Sequence, residues 1–345
     1  MKSTNEDIYN LVAPVFTVWK FAGFPIYNFK KNVGENTKFV NSTSGTLYLA
    51  LLGITLLFTL SLWNIFSEMS DNVIVDDTIN LTELIIFFTQ NIGILILSHR
   101  KRKQIIRVVE ALKYSESLIQ RLTRRSVSYT IKAKNAVLKL VIVKYSLVVI
   151  LCTIDSINLP EDKYNLMAYY FSWSFHYLFE LVIFMYFIIV KNQYDEINRF
   201  LLSHNFKLKD SRTMKNLVSV YSLLREISHL IKCAFQSFLL MKAITDSIIT
   251  STAVFYIIRV YQVIPENFVL STVSNVMFFT LISISNFTLA IVLHDVNTLF
   301  AAHTFLNKLE FFVCGLFPLN CTYIYWMITS VTGYVVYLVQ FHKIV

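Results

Sequence analysis

Tyr169, Trp173, His176 and Glu180 recur at i, i+4, i+7 and i+11, a spacing that puts all four on one face of a helix. Such a stripe offers aromatic faces together with hydrogen-bond donors and acceptors, the chemistry that holds a small polar or aromatic molecule. Asp155, Gln90 and Glu83 stand in neighbouring apolar segments and are expected to face the same cavity. The bland reading stands beside this one: Tyr and Trp near the end of an apolar helix also serve as interfacial anchors, and a lone His also serves as a packed polar residue. Charges inside apolar stretches form a second set. Lys242 and Asp246 are four residues apart on one helix and are expected to pair, and Lys144 is expected to find Glu180 across the bundle. A lone charge at the centre of a bilayer costs about 2.5–3.5 kcal/mol on insertion scales, so mutual pairing is favoured over direct ligand contact. No nucleotide loop, nucleophile elbow or His-x-x-x-His pair occurs, and no Cys/His spacing suits a metal, so neither an enzyme nor a metal or cofactor site is expected.

The elements that must position these residues are seven apolar stretches: Gly45–Phe66, Thr78–Ser98, Val137–Leu159, Asn165–Val190, Cys233–Val263, Asn267–Leu293 and Asn320–Phe341. Each is long enough to cross a hydrocarbon core about 30 Å thick as a helix. The second is the weakest, with Asp76, Asp77 and Glu83 crowding its start. The expected fold is an all-α membrane protein of seven transmembrane helices. Lys and Arg then set its orientation. Five lie before the first stretch, eleven between the second and third, eight between the fourth and fifth, and Lys308 alone between the sixth and seventh. The alternate connections hold only Lys163 and, after the last stretch, Lys343. Basic connections stay cytoplasmic, so the N-terminus is expected inside and the C-terminus outside a multi-pass plasma-membrane protein.

Composition agrees. Hydrophobic residues make up 55% of the chain and charged residues 15%, too few to clothe a soluble domain of this size. The +9 net charge is concentrated in the inner connections, where it meets anionic lipid head groups, so nucleic acid is not an expected partner. None of the five prolines lies in the middle of a span, which favours continuous helices over the broken helices of many secondary transporters. The four cysteines place no pair in an outer loop, so no structural disulfide is expected. Ile8, Leu11, Val12, Val15, Phe16 and Trp19 form a one-faced apolar helix suited to the inner membrane surface. Ile105, Val108, Val109, Leu112, Leu118, Ile119 and Leu122 continue the second stretch inwards. Leu217, Val220, Leu223, Leu224, Ile227, Leu230 and Ile231 run into the fifth. These two stripes are expected to pack together as an inner helical bundle.

The run Phe312-Val-Cys314-Gly315-Leu316-Phe317-Pro318-Leu319-Asn320, followed by Tyr334-Val-Val-Tyr-Leu-Val-Gln340-Phe341, resembles the C-terminal signature of the insect gustatory receptors. That signature is Thr-Tyr, five apolar residues, then Gln-Phe. The spacing from Tyr334 to Gln340-Phe341 is kept, with Gly333 at the Thr position and Thr332 one residue earlier. Lys20-Phe-Ala-Gly23-Phe-Pro25 also resembles the start of that family, and seven spans with an inner N-terminus match its inverted topology. The resemblance implies a tastant-gated, non-selective cation channel of four subunits. It divides the chain into a cytoplasmic segment (1–44), a ligand-binding six-helix bundle (45–293), an inner anchor (294–319) and a pore-lining helix with an outer C-terminus (320–345). It makes Phe341 the constriction and Gln340 its polar partner, with Tyr337, Tyr334 and Ser330 on the same helix. Rings of apolar side chains gate by excluding water and amide oxygens coordinate cations, while cation preference would draw on acidic residues further in, Asp295 or Glu310. The implied partners are a small-molecule tastant, membrane lipid and related receptor subunits.

Two other classes remain open. A G-protein-coupled receptor would need an outer N-terminus, and no Asp-Arg-Tyr follows the third stretch nor Asn-Pro-x-x-Tyr the seventh. A secondary transporter would need the broken helices that the proline pattern disfavours.

Overall fold

The computed structural model describes residues 8, 12, 15, 28–30, 38–40, 45–68, 74–123, 129–158, 163–203, 211–263, 268–303, 312–313, 317–318 and 321–342, and all that follows concerns these. Ile8, Val12 and Val15 are helical, with Ile8 and Val12 fully buried, and Leu11, Phe16 and Trp19 lie outside the described residues. The short strands β1 (Asn28–Lys30) and β2 (Lys38–Val40) pair antiparallel, as do β3 (Phe312–Val313) and β4 (Phe317–Pro318). The rest is helix: α1 (Gly45–Glu68), α2 (Ile74–Thr123), α3 (Tyr129–Asn158), α4 (Lys163–Ser203), α5 (Ser211–Val263), α6 (Phe268–His303) and α7 (Cys321–His342).

Five of these helices hold a stretch long and apolar enough to cross a membrane: Leu81–Thr123, Val137–Ile157, Trp173–Leu202, Ser211–Ile258 and Val269–Val296. The described apolar stretches of α1 and α7, Gly53–Leu62 and Ile324–Val336, are shorter. The chain is thus a helical, multi-pass membrane protein. Pro160 and Pro265 stand two residues beyond the ends of α3 and α5, where the residue before a proline is pushed out of the helical region. With no proline inside them, α2 and α5 run unbroken for 50 and 53 residues. At 1.5 Å per residue each is about 75 Å long, more than twice a hydrocarbon core. α6 likewise runs to His303, ten residues past the expected boundary at Leu293. The Lys308 and Glu310 of the anchor segment lie outside the described residues.

α4 is the central element. It packs against α1, α2, α3, α5 and α6, and every residue from Leu181 to Val190 is buried. α3 is peripheral and turns Leu138, Ile142, Val149, Ile150 and Ile157 outwards, an apolar stripe suited to lipid. α2 and α5 make the most extensive contact in the molecule. At the basic end of the bundle Val108, Val109, Leu112 and Ile119 of α2 close with Leu224, Ile227 and Ile231 of α5 in one fully buried cluster. Polar groups there are matched: Ser115 Oγ donates to Gln193 Oε1 over 2.7 Å, and Gln193 Nε2 donates to the carbonyl of Leu112 over 3.1 Å. α7 packs mainly on α5 and α6, with Met327 and Val335 turned inwards, and also touches β4.

Candidate functional site

Four helices converge on a small cavity of about 20 Å³ in the half of the bundle away from the basic end. α2 contributes Phe87 and Gln90; α4 contributes Trp173, His176 and Tyr177; α5 contributes Lys242, Thr245, Asp246 and Ile249; α6 contributes Ile282 and Ser285. The spacing on α4 explains the convergence, since residues three and four apart share a face and this face turns from α3 towards α2, α5 and α6. The walls are aromatic: the Trp173 ring lies 4.4 Å from that of Phe278 and 5.6 Å from that of Tyr177, measured between centroids. Those separations suit offset and edge contacts, which hold ring orientations more firmly than aliphatic packing does.

The polar side of the cavity begins with Gln90 and His176, whose Nε2 and Nδ1 atoms are 2.5 Å apart. With the amide donating to Nδ1, the imidazole carries its hydrogen on Nε2. Trp173 Nε1 and His176 Nε2 are both buried and have no hydrogen-bond partner among the described residues. Tyr177 OH and Ser285 Oγ of the same lining are also buried and unpartnered among the described residues; such an atom costs about 1–3 kcal/mol, so four of them beside one cavity call for an explanation.

Beneath them lies a chain of charges. Lys144 Nζ of α3 is 3.0 Å from Glu180 Oε1 of α4, Glu180 Oε2 is 3.8 Å from Lys242 Nζ of α5, and Lys242 Nζ is 2.5 Å from Asp246 Oδ2. Lys144 Nζ also stands 4.8 Å over the Tyr177 ring, a cation–π contact. Two cations and two anions thus cancel inside the bundle, and each has its partner, the condition under which burying charge is tolerable. The network ties α3, α4 and α5 together, and its Lys242 and Asp246 form one wall of the cavity.

Of the residues expected in the pocket, Gln90, Trp173 and His176 line it, whereas Asp155 and Glu83 do not. Asp155 is engaged elsewhere: Tyr170 OH of α4 donates to its Oδ2 and Ser274 Oγ of α6 to its Oδ1, a clamp joining three helices near their short-loop end. Glu83 lies two turns from Gln90 on α2 and accepts from Thr252 Oγ1 of α5. The side chain of Tyr169 lies outside the described residues. Phe87, Tyr177, Thr245, Ile249, Ile282 and Ser285 line the cavity without having been singled out in the sequence. Thr245 stands one turn after Lys242 and Ile249 one turn after Asp246, a helical-spacing signal that could have found them.

On α7 the structure separates two stripes. Thr329, Gly333, Val336 and Gln340 are exposed, whereas Met327 is buried and Ser330 half-buried, because α7 leans on α5 and α6 by that side. Tyr334 is exposed at the border between them, and the side chains of Tyr337 and Phe341 lie outside the described residues. Asp295 is ion-paired with Lys191 of α4.

Residues 12–303 and 297–344 match the family described as 7tm Chemosensory receptor. The chain belongs to the 7tm chemosensory receptor family. That match spans nearly all of its length. Two solved structures share the fold of this chemosensory receptor, both of the insect olfactory receptor OR5 from Machilis hrabei, one of them in complex with eugenol. Each superposes with a TM-score of 0.68 at 11% identity, covering 96% of this chain and 98% of the other. No curated protein matches the sequence of this chain.

Proposed function

We propose that this receptor is a gustatory subunit of a ligand-gated, non-selective cation channel, in which a small molecule binds in the cavity between α2, α4, α5 and α6 and α7 lines a pore shared by four subunits. The cavity carries the proposal: four unpartnered buried polar atoms, aromatic walls and a charged floor converge at one place inside a receptor family's fold. The OR5 structure in complex with eugenol supports a small organic ligand for this fold. The Tyr334 to Gln340-Phe341 spacing supports the gustatory branch, and the exposed Thr329–Gln340 stripe supports α7 as the helix facing its counterparts. The basic connections support seven crossings with an inner N-terminus and an outer C-terminus. The family match and shared fold favour this reading over a G-protein-coupled receptor or a transporter.

Gating follows from the size of the cavity. About 150 Å³ is needed to hold a benzene-sized molecule, so a ligand binds only where the four helices have moved apart or the rings have turned. Its affinity for the expanded state shifts the population towards that state. α5 and α6 border the cavity and also support α7, giving the movement a direct route to the pore helix. The test is whole-cell current in cells expressing the full chain, alone and with a related subunit, during application of a tastant panel. A reversible, ligand-evoked cation current is expected, reduced at least about tenfold in sensitivity by Trp173→Ala. Surface-expressed receptor that never conducts in either setting overturns the reading.

A further inference from the structure

Four buried polar atoms of the cavity lining have no hydrogen-bond partner among the described residues, Trp173 Nε1, His176 Nε2, Tyr177 OH and Ser285 Oγ, and each of them has a hydrogen to donate. Trp173 Nε1–H of the indole is a donor only, and His176, with Nδ1 taken up by Gln90, presents Nε2–H as a second donor. Lys242 adds an ammonium to the same wall. The one carboxylate that lines the cavity, Asp246, is already held by Lys242 at 2.5 Å. The charge network beneath is balanced, two lysines against Glu180 and Asp246, so a further cation placed beside it would have no counter-charge. The walls give flat apolar faces from Phe87, Trp173 and Tyr177. A ring that inserts between them must bring acceptors to meet the donors. Size narrows the class again. Phe87 lines this cavity and also a second one of about 20 Å³, bounded by Ile54, Leu57, Phe58 and Leu84 of α1 and α2. Even joined by a turn of that ring, the two spaces fall short of the about 150 Å³ that a benzene-sized molecule occupies, so a single aromatic ring demands the least further expansion and a fused system more.

We propose that the cavity selects one-ring aromatic molecules that carry a hydrogen-bond acceptor and no positive charge, held through Trp173 Nε1–H and His176 Nε2–H. This rests on the cavity being the ligand site of the proposed channel. Three probes of matched shape separate the possibilities: acetophenone with an acceptor, isopropylbenzene with none, and 1-phenylethylamine as its ammonium. Binding is read as the concentration giving half-maximal rise in unfolding temperature of the purified full-length receptor, so that it does not depend on current. Acetophenone is expected to bind at least about tenfold more tightly than isopropylbenzene, and the amine more weakly than either. Trp173→Phe keeps a ring and removes the donor, and it is expected to bring the acetophenone to isopropylbenzene ratio towards one while leaving isopropylbenzene affinity unchanged. His176→Phe should act likewise, and His176→Asn, which keeps an N–H, should restore part of the ratio; these variants serve also where Trp173→Phe does not fold. Equal affinities, tightest binding of the amine, a ratio untouched by both donor removals, or no stabilisation by any of the three overturns the proposal. Parallel current recordings keep the two readings apart: acceptor-selective binding without current sinks the channel, whereas current without acceptor preference sinks the selectivity.

Discussion

Glu180 is the residue on which the buried charges turn, since it stands between Lys144 and Lys242. Replacing it by Gln removes the only anion that Lys144 contacts among the described residues and leaves a buried ammonium without its counter-charge. Breaking a buried pair from one side costs about 3–5 kcal/mol, so Glu180→Gln should lower the thermal unfolding temperature of the purified chain markedly. Lys144→Met combined with Glu180→Met leaves the Lys242–Asp246 pair balanced and should regain most of that loss. A double variant no more stable than the single one would show that the charges do not act as a network. These pairings were legible because i, i+4 spacing and the cost of a lone intramembrane charge leave few choices. The places of Asp155 and Glu83 were not. Helical spacing fixes which residues share a face, but the rotation of α3 and α2 about their own axes is set by Tyr170, Ser274 and Thr252 on other helices, and no local pattern encodes it.

At the scale of elements, α2 meets the Met241 side chain of α5 at Gly93. A Cβ built there would lie 2.3 Å from Met241 Cε and 3.1 Å from Sδ. The obstacle is the far end of an unbranched thioether that can change rotamer, so Gly93→Ala should cost less than about 1 kcal/mol. Gly93→Phe must part the two helices and should cost about 1–3 kcal/mol or more, as overpacking does. Thermal unfolding of the two variants checks this; equal effects would mean that the contact does not set the helix separation. The long stripes of α2 and α5 could be read ahead of the structure because they leave the apolar spans, and only there does period 3.6 distinguish a buried face from a wet one. Within the spans it does not. α3 and α4 both read as uniformly apolar, yet 22% of the apolar window of α3 is buried against 83% for α4. Lipid and protein interior are equally apolar, so hydropathy identifies the solvent and is silent about which helix occupies the centre.

At the scale of the whole molecule, threading through the membrane and the role of α7 can be probed together. If the chain enters from the basic side and crosses seven times, the end of α7 nearest Gln340 faces the outer solution, and its exposed stripe looks away from the bundle that Met327 enters. A helix of 22 residues rises about 33 Å, enough to set Gln340 near one surface and the start of α7 near the other. Gln340→Cys should therefore react with a membrane-impermeant thiol reagent added outside intact cells, above the background of the native cysteines, and its modification should alter ligand-evoked current. Met327→Cys, turned into the core, should stay protected under the same conditions. The four native cysteines are expected in spans or on the inner side, so that background is low. Labelling of Gln340→Cys only after permeabilisation would reverse the threading, and with it the sidedness of the basic connections. Equal labelling of both positions would keep the threading but remove the distinction between the two faces of α7, leaving the pore to be sought on another helix.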